Sequence, residues 1–196
     1  MKKETPYNPL DKNNLGASVA DALLERGKIS LEDIEPFVGA GIYAIYYIGE
    51  FPPYKPLVAE EIPIYVGKAV PPGARKGNFG LNIDPGQALY KRLKEHSESI
   101  RQSSNLKITD FECRYLVVDD IWIPLGEALL IAKFSPIWNK IIDGFGNHDP
   151  GKGRYQQIRS RWDTLHPGRS WTHKCQERGE TKEQIISELT AYLKSI

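Results

Sequence analysis

Apolar residues repeat along the chain with two spacings, one typical of strands and the other typical of helices. Runs of β-branched and aromatic residues predict three strands, at residues 41–47, 62–67 and 108–118. Apolar side chains three or four positions apart predict helices at residues 87–101, 124–134, 154–165 and 182–194. The order strand, strand, helix, strand, helix predicts an α/β (α+β) core built around a small sheet.

The segments on either side of this core are predicted to be mainly helical. Residues 18–26 have helical spacing, and Ser30 with Asp33 resembles the start of a second helix. We therefore expect an N-terminal helical arm at residues 1–38, a core at residues 39–140, and a loop with C-terminal helices packed on it at residues 141–196. Together they would form one structural domain. Three prolines within residues 50–61 predict an irregular insertion in the core.

Composition narrows the class of protein. The chain has 196 residues, of which 40% are hydrophobic and 26% are charged, as in ordinary globular proteins. The first ten residues lack the apolar centre of a secretory signal. Residues 121–132 are apolar but interrupted by Pro124, Gly126 and Glu127, which argues against a membrane span. Two cysteines predict no disulfide framework, so we expect a location in a reducing cytoplasm without a membrane partner.

Positive charge is concentrated in two blocks, although the formal net charge is only +1. Residues 62–114 contain nine basic and five acidic side chains, and residues 150–178 contain seven basic and two acidic ones. Two such blocks can form a surface that follows phosphate groups, or they can simply be solvated charge on separate faces. Charge alone leaves both interpretations open.

Residues with catalytic chemistry occur on four of the predicted core elements. They are Gly41-Ile42-Tyr43 on the first strand, Tyr65-Val66-Gly67-Lys68 on the second, Arg92 and His96 on one helix, Glu127 on the next, and Asn139 just beyond it. Side chains alternate faces along a strand, so Tyr43 and Tyr65 can meet on one face of the sheet. Arg92 and His96 are four residues apart and project from the same side of their helix.

This set of residues, in this order, resembles the GIY-YIG nuclease superfamily. Residues 39–49, 62–73 and 137–153 are also similar to the branch of type II restriction enzymes that cuts CCGCGG, the SacII specificity. The resemblance implies a GIY-YIG nuclease core with a small, mostly antiparallel three-stranded sheet flanked by helices. It also implies hydrolysis of double-stranded DNA at a short, GC-rich palindromic site.

The letters Tyr47-Ile48-Gly49 also spell the second half of the superfamily name. They lie four residues after Tyr43, on the same predicted strand, whereas the partner motif belongs on the next strand. We therefore assign the second motif to Tyr65-Val66-Gly67. The proline-rich insertion accounts for the long interval between Tyr43 and Tyr65.

The resemblance also implies a role for each residue of the set. Glu127 would hold one Mg²⁺ ion, for which Mn²⁺ can substitute, and this ion would stabilise the leaving oxygen. Arg92 would bind the scissile phosphate through its planar donors. Tyr43 would be the general base, with its pKa lowered from about 10 by nearby cations. Lys68 and His96 are further sources of that charge. Tyr65 would position the water or the phosphate, and Asn139 would brace the site.

Recognition of DNA needs further side chains, since arginine and other donors read base edges and hold phosphates. The candidates, chosen from two glycine-containing loops and the basic helix, are Arg75, Lys76, Asn147, His148, Lys152, Arg154, Arg159 and Arg161. A palindromic target predicts a homodimer with one active site for each DNA strand. A cognate DNA methyltransferase is expected in the same system, but not as a stable partner.

Three other interpretations remain open from the sequence. The chain could be a repair or homing-type nuclease, or a nuclease without sequence specificity. It could also be a catalytically inactive DNA-binding module on the same scaffold. A third possibility is a protein-interaction domain that uses the proline-rich residues 51–56 as a ligand segment. Incubation with plasmid DNA, with and without magnesium, would separate these interpretations.

Overall fold

Helices cover both faces of a small sheet in the computed structural model, which describes residue 8 and residues 10–71 and 84–195. The strands are β1 (Ile29–Ser30), β2 (Gly41–Tyr47), β3 (Tyr65–Ala69) and β4 (Phe111–Val117). The helices are α1 (Lys12–Leu24), α2 (Lys55–Ala59), α3 (Ala88–Gln102), α4 (Ile123–Phe134), α5 (Ile137–Lys140), α6 (Arg161–Leu165) and α7 (Lys182–Leu193).

The sheet has the strand order β1-β4-β2-β3, and every neighbouring pair is antiparallel. All seven residues of β2 are buried, because this strand lies inside the sheet and both of its faces are covered. Its β-branched and aromatic side chains fill the space on both sides, as such residues do in buried strands. β3 lies at the edge of the sheet, and this edge carries the candidate site.

Two separate apolar clusters hold the helices against the sheet. One contains Tyr43 and Ile45 from β2, together with buried residues of α3 and α7 such as Leu93 and Leu189. The other contains Ile42 from β2, together with buried residues of α1 and α4 such as Leu23. Because side chains of β2 alternate between the two clusters, α3 and α4 lie on opposite faces of the same sheet.

The predicted fold class is confirmed, with one correction to the sheet. It has four strands rather than three, because Ile29 and Ser30 pair with Cys113 and Glu112 of β4. The helix predicted to begin near Ser30 is therefore wrong. The Ser30 hydroxyl accepts a hydrogen bond from the Glu32 amide at 3.2 Å, which favours a turn over a helix.

Two further segments differ from the prediction. The insertion at residues 50–61 is ordered: a 3-10 turn at Pro52–Tyr54 leads into α2, since proline suits the first turn of a helix. The predicted helix at residues 154–165 is shorter. It begins only at Arg161, where the Ser160 hydroxyl accepts from the Asp163 amide and caps the helix.

Among the described residues, no helix combines the length and the apolar character that crossing a bilayer requires. The division of the chain at residues 38 and 140 remains a prediction.

Candidate active site

Two tyrosines lie side by side at the β3 edge of the sheet. Tyr43 of β2 is opposite Gly67 of β3, and Tyr65 is opposite Ile45, so both tyrosines lie on the same face, two positions apart. Their ring centroids are 6.2 Å apart. A Cβ atom at Gly67 would lie 2.4 Å from the Tyr43 hydroxyl. Glycine at this position therefore leaves the space that the Tyr43 phenol occupies.

Tyr47, the alternative second tyrosine, lies elsewhere. Its hydroxyl accepts a hydrogen bond from the Phe51 amide at 2.7 Å. Its ring packs against Tyr54 and Phe111 at centroid distances of 5.4 and 5.2 Å. Tyr65, by contrast, lies beside both Tyr43 and His96.

Helix α3 brings His96 to the Tyr43 hydroxyl. The buried residues of this helix recur at helical spacing and include Leu89, Leu93 and His96. The Tyr43 oxygen and Nε2 of His96 are 2.6 Å apart, and both side chains are buried. This short contact makes a hydrogen-bonded phenol–imidazole pair inside the protein.

Arg92 lies one helical turn before His96. Its Nη2 donates to the Gly146 carbonyl at 3.0 Å, and its Nη1 donates to Glu95 at 3.0 Å. The same Nη1 is 2.6 Å from Nε2 of His148. A Cβ at Gly146 would lie 2.9 Å from the Tyr65 hydroxyl and 3.0 Å from Nη2 of Arg92. The loop around Gly146 therefore packs closely against the site.

Glu127 and Lys68 form an ion pair on the other face of the β3 edge. Lys68 pairs with Ile42 in the sheet register, which directs it toward α4. Its Nζ lies 2.6 Å from Oε2 of Glu127, and the Glu127 side chain retains 19% of its exposure. The Glu127 carboxylate is thus paired with the Lys68 ammonium while remaining partly open to solvent.

Asn139 fixes the strand that carries Tyr65 and Lys68. Its side-chain oxygen accepts from the Val66 amide, and its side-chain nitrogen donates to the Val66 carbonyl, both at 2.8 Å. The amide group of Asn139 therefore replaces a neighbouring strand at the free edge of β3. Whether this contact braces the active site, as the resemblance implies, stays a prediction.

The electrostatics of the two phenols differ from the prediction. Burial raises the pKa of Tyr43 well above 10, and Tyr65 adds to the rise, whereas the charge of Arg92 opposes it. Arg92 does lower the pKa of Tyr43, as expected of a nearby cation, but the expected net lowering is wrong, because desolvation of the phenolate outweighs this attraction. Burial also raises the pKa of Tyr65. The charge of Arg92 opposes this rise, and the charge of Glu127 adds to it.

His96 is not a source of positive charge either. Burial lowers its pKa well below 6.5, and the nearby positive charge of Arg92 lowers it further. The imidazole is therefore neutral at physiological pH and can accept a proton through Nε2. Tyr43 and Tyr65 pack beside each other, and Arg92 borders the same space as the Tyr65 hydroxyl. Glu127 reaches β3 from the other face, through its ion pair with Lys68.

The predicted DNA-binding residues are more scattered. Asn147 and His148 are exposed beside Arg92, and Lys152 and Arg154 are exposed in a 3-10 turn. Arg159 is half-buried, and its Nε donates to the Thr172 carbonyl at 3.3 Å. Arg75 and Lys76 lie outside the described residues.

Arg161 takes part in an internal network instead of facing outward. Its five N–H groups donate to the Ile141 carbonyl and to the carboxylates of Glu180 and Glu188. Since a guanidinium has five donors, none remains for DNA in this arrangement. The prediction that Arg161 contacts DNA therefore has no support in the geometry.

Three residues of the site were missed from the sequence. The Phe145 ring stacks on His96 with centroids 4.4 Å apart. Arg169 and Asp163, both buried, form an ion pair at 2.6 Å behind this loop. The glycines at 144 and 146 marked the loop, but nothing in the spacing connected it to Arg169.

The donor set at Glu127 fits Mg²⁺. This ion prefers oxygen ligands and is held in many enzymes by one or two carboxylates, several waters and substrate phosphates. The Glu127 carboxylate is partly open to solvent, and a bound Mg²⁺ would take the place that the Lys68 ammonium occupies at Oε2. A phosphate oxygen of a substrate at this edge would complete such a set together with water.

The four-stranded antiparallel sheet, its covering helices and the motif positions define a GIY-YIG domain. A family model described as the Eco29kI GIY-YIG domain matches residues 35–193, so the chain belongs to this family of restriction endonucleases. Members of the family act on DNA, and DNA is therefore the substrate class. No curated protein in the comparison matches the chain.

Proposed function

We propose that this protein is a type II restriction endonuclease that cuts double-stranded DNA at a short, GC-rich palindromic site, with CCGCGG as the first sequence to test. One observation carries the proposal: in a member of the Eco29kI GIY-YIG family, Tyr43 and Tyr65 lie beside Arg92, and Glu127 reaches the same edge strand, β3, from the other face. This edge offers the donors of Arg92 and the carboxylate of Glu127 to a single phosphodiester, and the buried pair formed by Tyr43 and His96 lies beside Tyr65.

Proton transfer would run through the pair formed by Tyr43 and His96. A water that reaches the buried Tyr43 hydroxyl in the DNA complex would give it a proton while the phenol passes its own proton to Nε2 of His96, which lies 2.6 Å away. This concerted route avoids a free phenolate, which burial disfavours. The neutral imidazole of His96 becomes an imidazolium in this step, and burial and the charge of Arg92 oppose that charge. The negative charge of the bound phosphodiester would offset part of this cost.

The bond changes follow from this transfer. The water oxygen forms a bond to phosphorus, and the bond between phosphorus and the 3′ oxygen breaks, which leaves a 5′ phosphate and a 3′ hydroxyl. The departing oxygen takes its proton from solvent. Arg92 would bind the non-bridging oxygens and stabilise the negative charge that develops on them. Tyr65, whose hydroxyl borders the same space as Nη2 of Arg92, would orient the phosphate.

Glu127 would hold Mg²⁺, or Mn²⁺ in its place, and Lys68 would supply a second positive charge beside it. When bound, the metal ion supplies positive charge next to the leaving 3′ oxygen and one non-bridging oxygen. Asn139 would keep β3 in register so that Tyr65 and Lys68 stay in place.

Asn147, His148, Lys152 and Arg154 are the exposed candidates for contact with DNA, and Arg159 lies nearby. A palindromic site would be cut in both strands by a homodimer, which places one active site on each strand. A separate methyltransferase would protect host DNA in the bacterial cytoplasm. Both cysteines are free, as a reducing compartment would keep them.

Incubation with plasmid DNA of known sequence, with and without Mg²⁺, tests the proposal. Discrete fragments whose ends map to one palindrome are the expected result. Smeared or nicked DNA would identify a nuclease without sequence specificity, and intact DNA that is nevertheless bound would identify a binding module. Either of these outcomes would overturn the proposed function.

A further inference from the structure

One short loop makes several of the contacts that hold the catalytic side chains of α3. The Phe145 ring is stacked on the His96 ring, with centroids 4.4 Å apart and planes inclined by 17°. The Gly146 carbonyl accepts from Nη2 of Arg92, and His148 approaches Nη1 of the same guanidinium. The positions of Arg92 and His96 therefore depend on where this loop, residues 144–148, is held.

Arg169 holds this loop in place, and all of its N–H donors form hydrogen bonds. Nη2 donates to the Gly144 carbonyl at 2.8 Å, and Nη1 donates to the carbonyls of Phe145 and Asn147 at 3.1 and 2.8 Å. Nε and Nη2 also donate to the two carboxylate oxygens of Asp163, at 2.6 and 2.7 Å. Five donors thus meet five acceptors, three of which are backbone carbonyls of the loop.

The surroundings of Arg169 fix it in this orientation. Its guanidinium carbon lies 4.7 Å from the ring centroid of Trp162 and 4.9 Å from that of Trp171. The arginine is 3% exposed and Asp163 is 1% exposed. Asp163 is itself held in the first turn of α6, where the Ser160 hydroxyl donates to it at 2.7 Å.

A buried ion pair is a poor source of stability by itself, because both charges lose their hydration. A planar guanidinium instead contributes fixed geometry, because its rigid fork sets the direction of each hydrogen bond. A lysine at this position has three donors without a fixed plane, so it cannot hold three carbonyls and a carboxylate together. The network thus ties the loop to α6 at a defined distance and angle.

We propose that Arg169 is a positioning residue for DNA cleavage: through the loop at residues 144–148 it sets the places of Arg92 and His96. The inference rests on the proposed function. Among the described residues, Arg169 makes no hydrogen bond to Arg92 or His96. Its charge lowers the pKa of His96 directly, and it acts on the positions of both side chains by way of the Gly146 carbonyl and the Phe145 ring.

The test is a double-mutant cycle measured by steady-state and single-turnover cleavage of an oligonucleotide duplex that contains the cut site. Arg169→Lys is expected to lower kcat about tenfold with KM changed less than twofold, since chemistry and not DNA binding depends on the loop. In an Arg92→Lys background, which lacks the planar donor for Gly146, the same substitution should lower the rate less than threefold. An equal factor in both backgrounds would overturn the positioning role.

Leu23→Ala is the matched control for lost stability. Leu23 is buried on α1, on the other face of the sheet from Phe145. Its variant should melt at a lower temperature and still cleave within twofold of the wild-type rate, at a temperature where both proteins are folded. A loss of kcat in Leu23→Ala as large as that in Arg169→Lys would show a general effect of stability and overturn the inference.

Two additions keep the inference testable if Arg169→Lys does not fold. Trp171→Leu removes one aromatic face from the guanidinium and should lower kcat about threefold, again less in the Arg92→Lys background. NMR of the DNA-free protein should show shifted His96 ring signals in Trp171→Leu and unchanged ones in Leu23→Ala. Unchanged His96 signals together with an unchanged kcat in Trp171→Leu would overturn the positioning role of Arg169. Wild-type protein that leaves DNA intact would instead overturn the proposed function, and the role of Arg169 with it.

Discussion

The Tyr43 hydroxyl and Nε2 of His96 lie 2.6 Å apart in the buried interior, and both groups are neutral at physiological pH. A buried phenol that cannot ionise alone is a poor base, whereas a phenol that hands its proton to a neighbour can accept one from water. The prediction for His96 follows from this difference.

His96→Gln keeps a polar side chain beside Tyr43 but removes the proton acceptor. We expect kcat to fall about 10² to 10⁴-fold, the usual contribution of general acid–base catalysis. Single-turnover cleavage rates measure the loss, and His173→Gln, at an exposed position, is the control. Cleavage by His96→Gln at the wild-type rate would contradict the proton route.

The assignment of the second tyrosine is tested by a pair of substitutions that each remove one hydroxyl. Tyr65→Phe should abolish cleavage, because Tyr65 lies beside Tyr43 and its hydroxyl borders the space next to Arg92. Tyr47→Phe should retain most of the activity and lose about 1–3 kcal/mol of stability, since the Phe51 amide loses its acceptor. Cleavage rates and urea unfolding measure both effects, and the reverse pattern would transfer the motif to Tyr47.

The elements that the sequence predicted well are those whose own residues decide their structure. β2 has the predicted bounds because an unbroken run of β-branched and aromatic residues suits a strand buried on both faces. α3 differs from its prediction by one residue at each end, since a strong helical spacing is a local signal. Strand alternation allowed Tyr43 and Tyr65 to share a face, and the register between β2 and β3 puts them on it.

The errors arose where distant contacts decide the structure. Ser30 joins β1 because β4, more than eighty residues later in the sequence, offers it a partner. The insertion is ordered because Tyr54 is buried, with its hydroxyl bonded to Trp138 and His166. The neutral state of His96 depends on burial that only the folded chain provides. No local sequence pattern predicts these contacts.

Glu127→Gln tests the metal site. The amide keeps the shape of the side chain but removes the negative charge that holds a divalent cation, so cleavage should fall about 10³-fold, which corresponds to several kcal/mol of transition-state stabilisation. Binding of the DNA duplex without added metal should change less than threefold, as gel-shift titration would show. Glu183→Gln, at an exposed position of α7, is the control. A Glu127→Gln variant that still nicks DNA with Mg²⁺ would exclude the metal role.

Asn139→Leu tests the support of β3. Leucine has a similar volume but offers neither of the two 2.8 Å hydrogen bonds that Asn139 makes with Val66. Since β3 is an edge strand and water can reach part of it, we expect a loss of about 2 kcal/mol in the free energy of unfolding. Urea unfolding measures this loss, with Asn13→Leu on the exposed side of α1 as the control. An unchanged free energy would show that the edge of β3 needs no such partner.

His166 predicts how the stability of the protein depends on pH. Burial lowers its pKa from 6.5 to about 3. Its Nε2 accepts from the Tyr54 hydroxyl, and its Nδ1 lies 2.9 Å from the side-chain oxygen of Asn105. Because the unfolded chain binds a proton more readily than the folded one, the contribution of His166 is fully present above pH 6.5 and is lost as the pH falls toward 3.

His166→Phe should therefore be less stable at pH 7, where it lacks both hydrogen bonds, and yet lose less stability in acid. Between pH 6 and 4.5 the wild-type free energy of unfolding should fall more steeply than that of the variant, by about 1.4 kcal/mol per pH unit, the value for one proton. Urea unfolding at several pH values gives both slopes, and exposed His173→Gln should match the wild type. Equal slopes for wild type and His166→Phe would mean that the folded protein protonates His166 as readily as the unfolded chain does. The buried network around Tyr54 would then not hold the imidazole neutral.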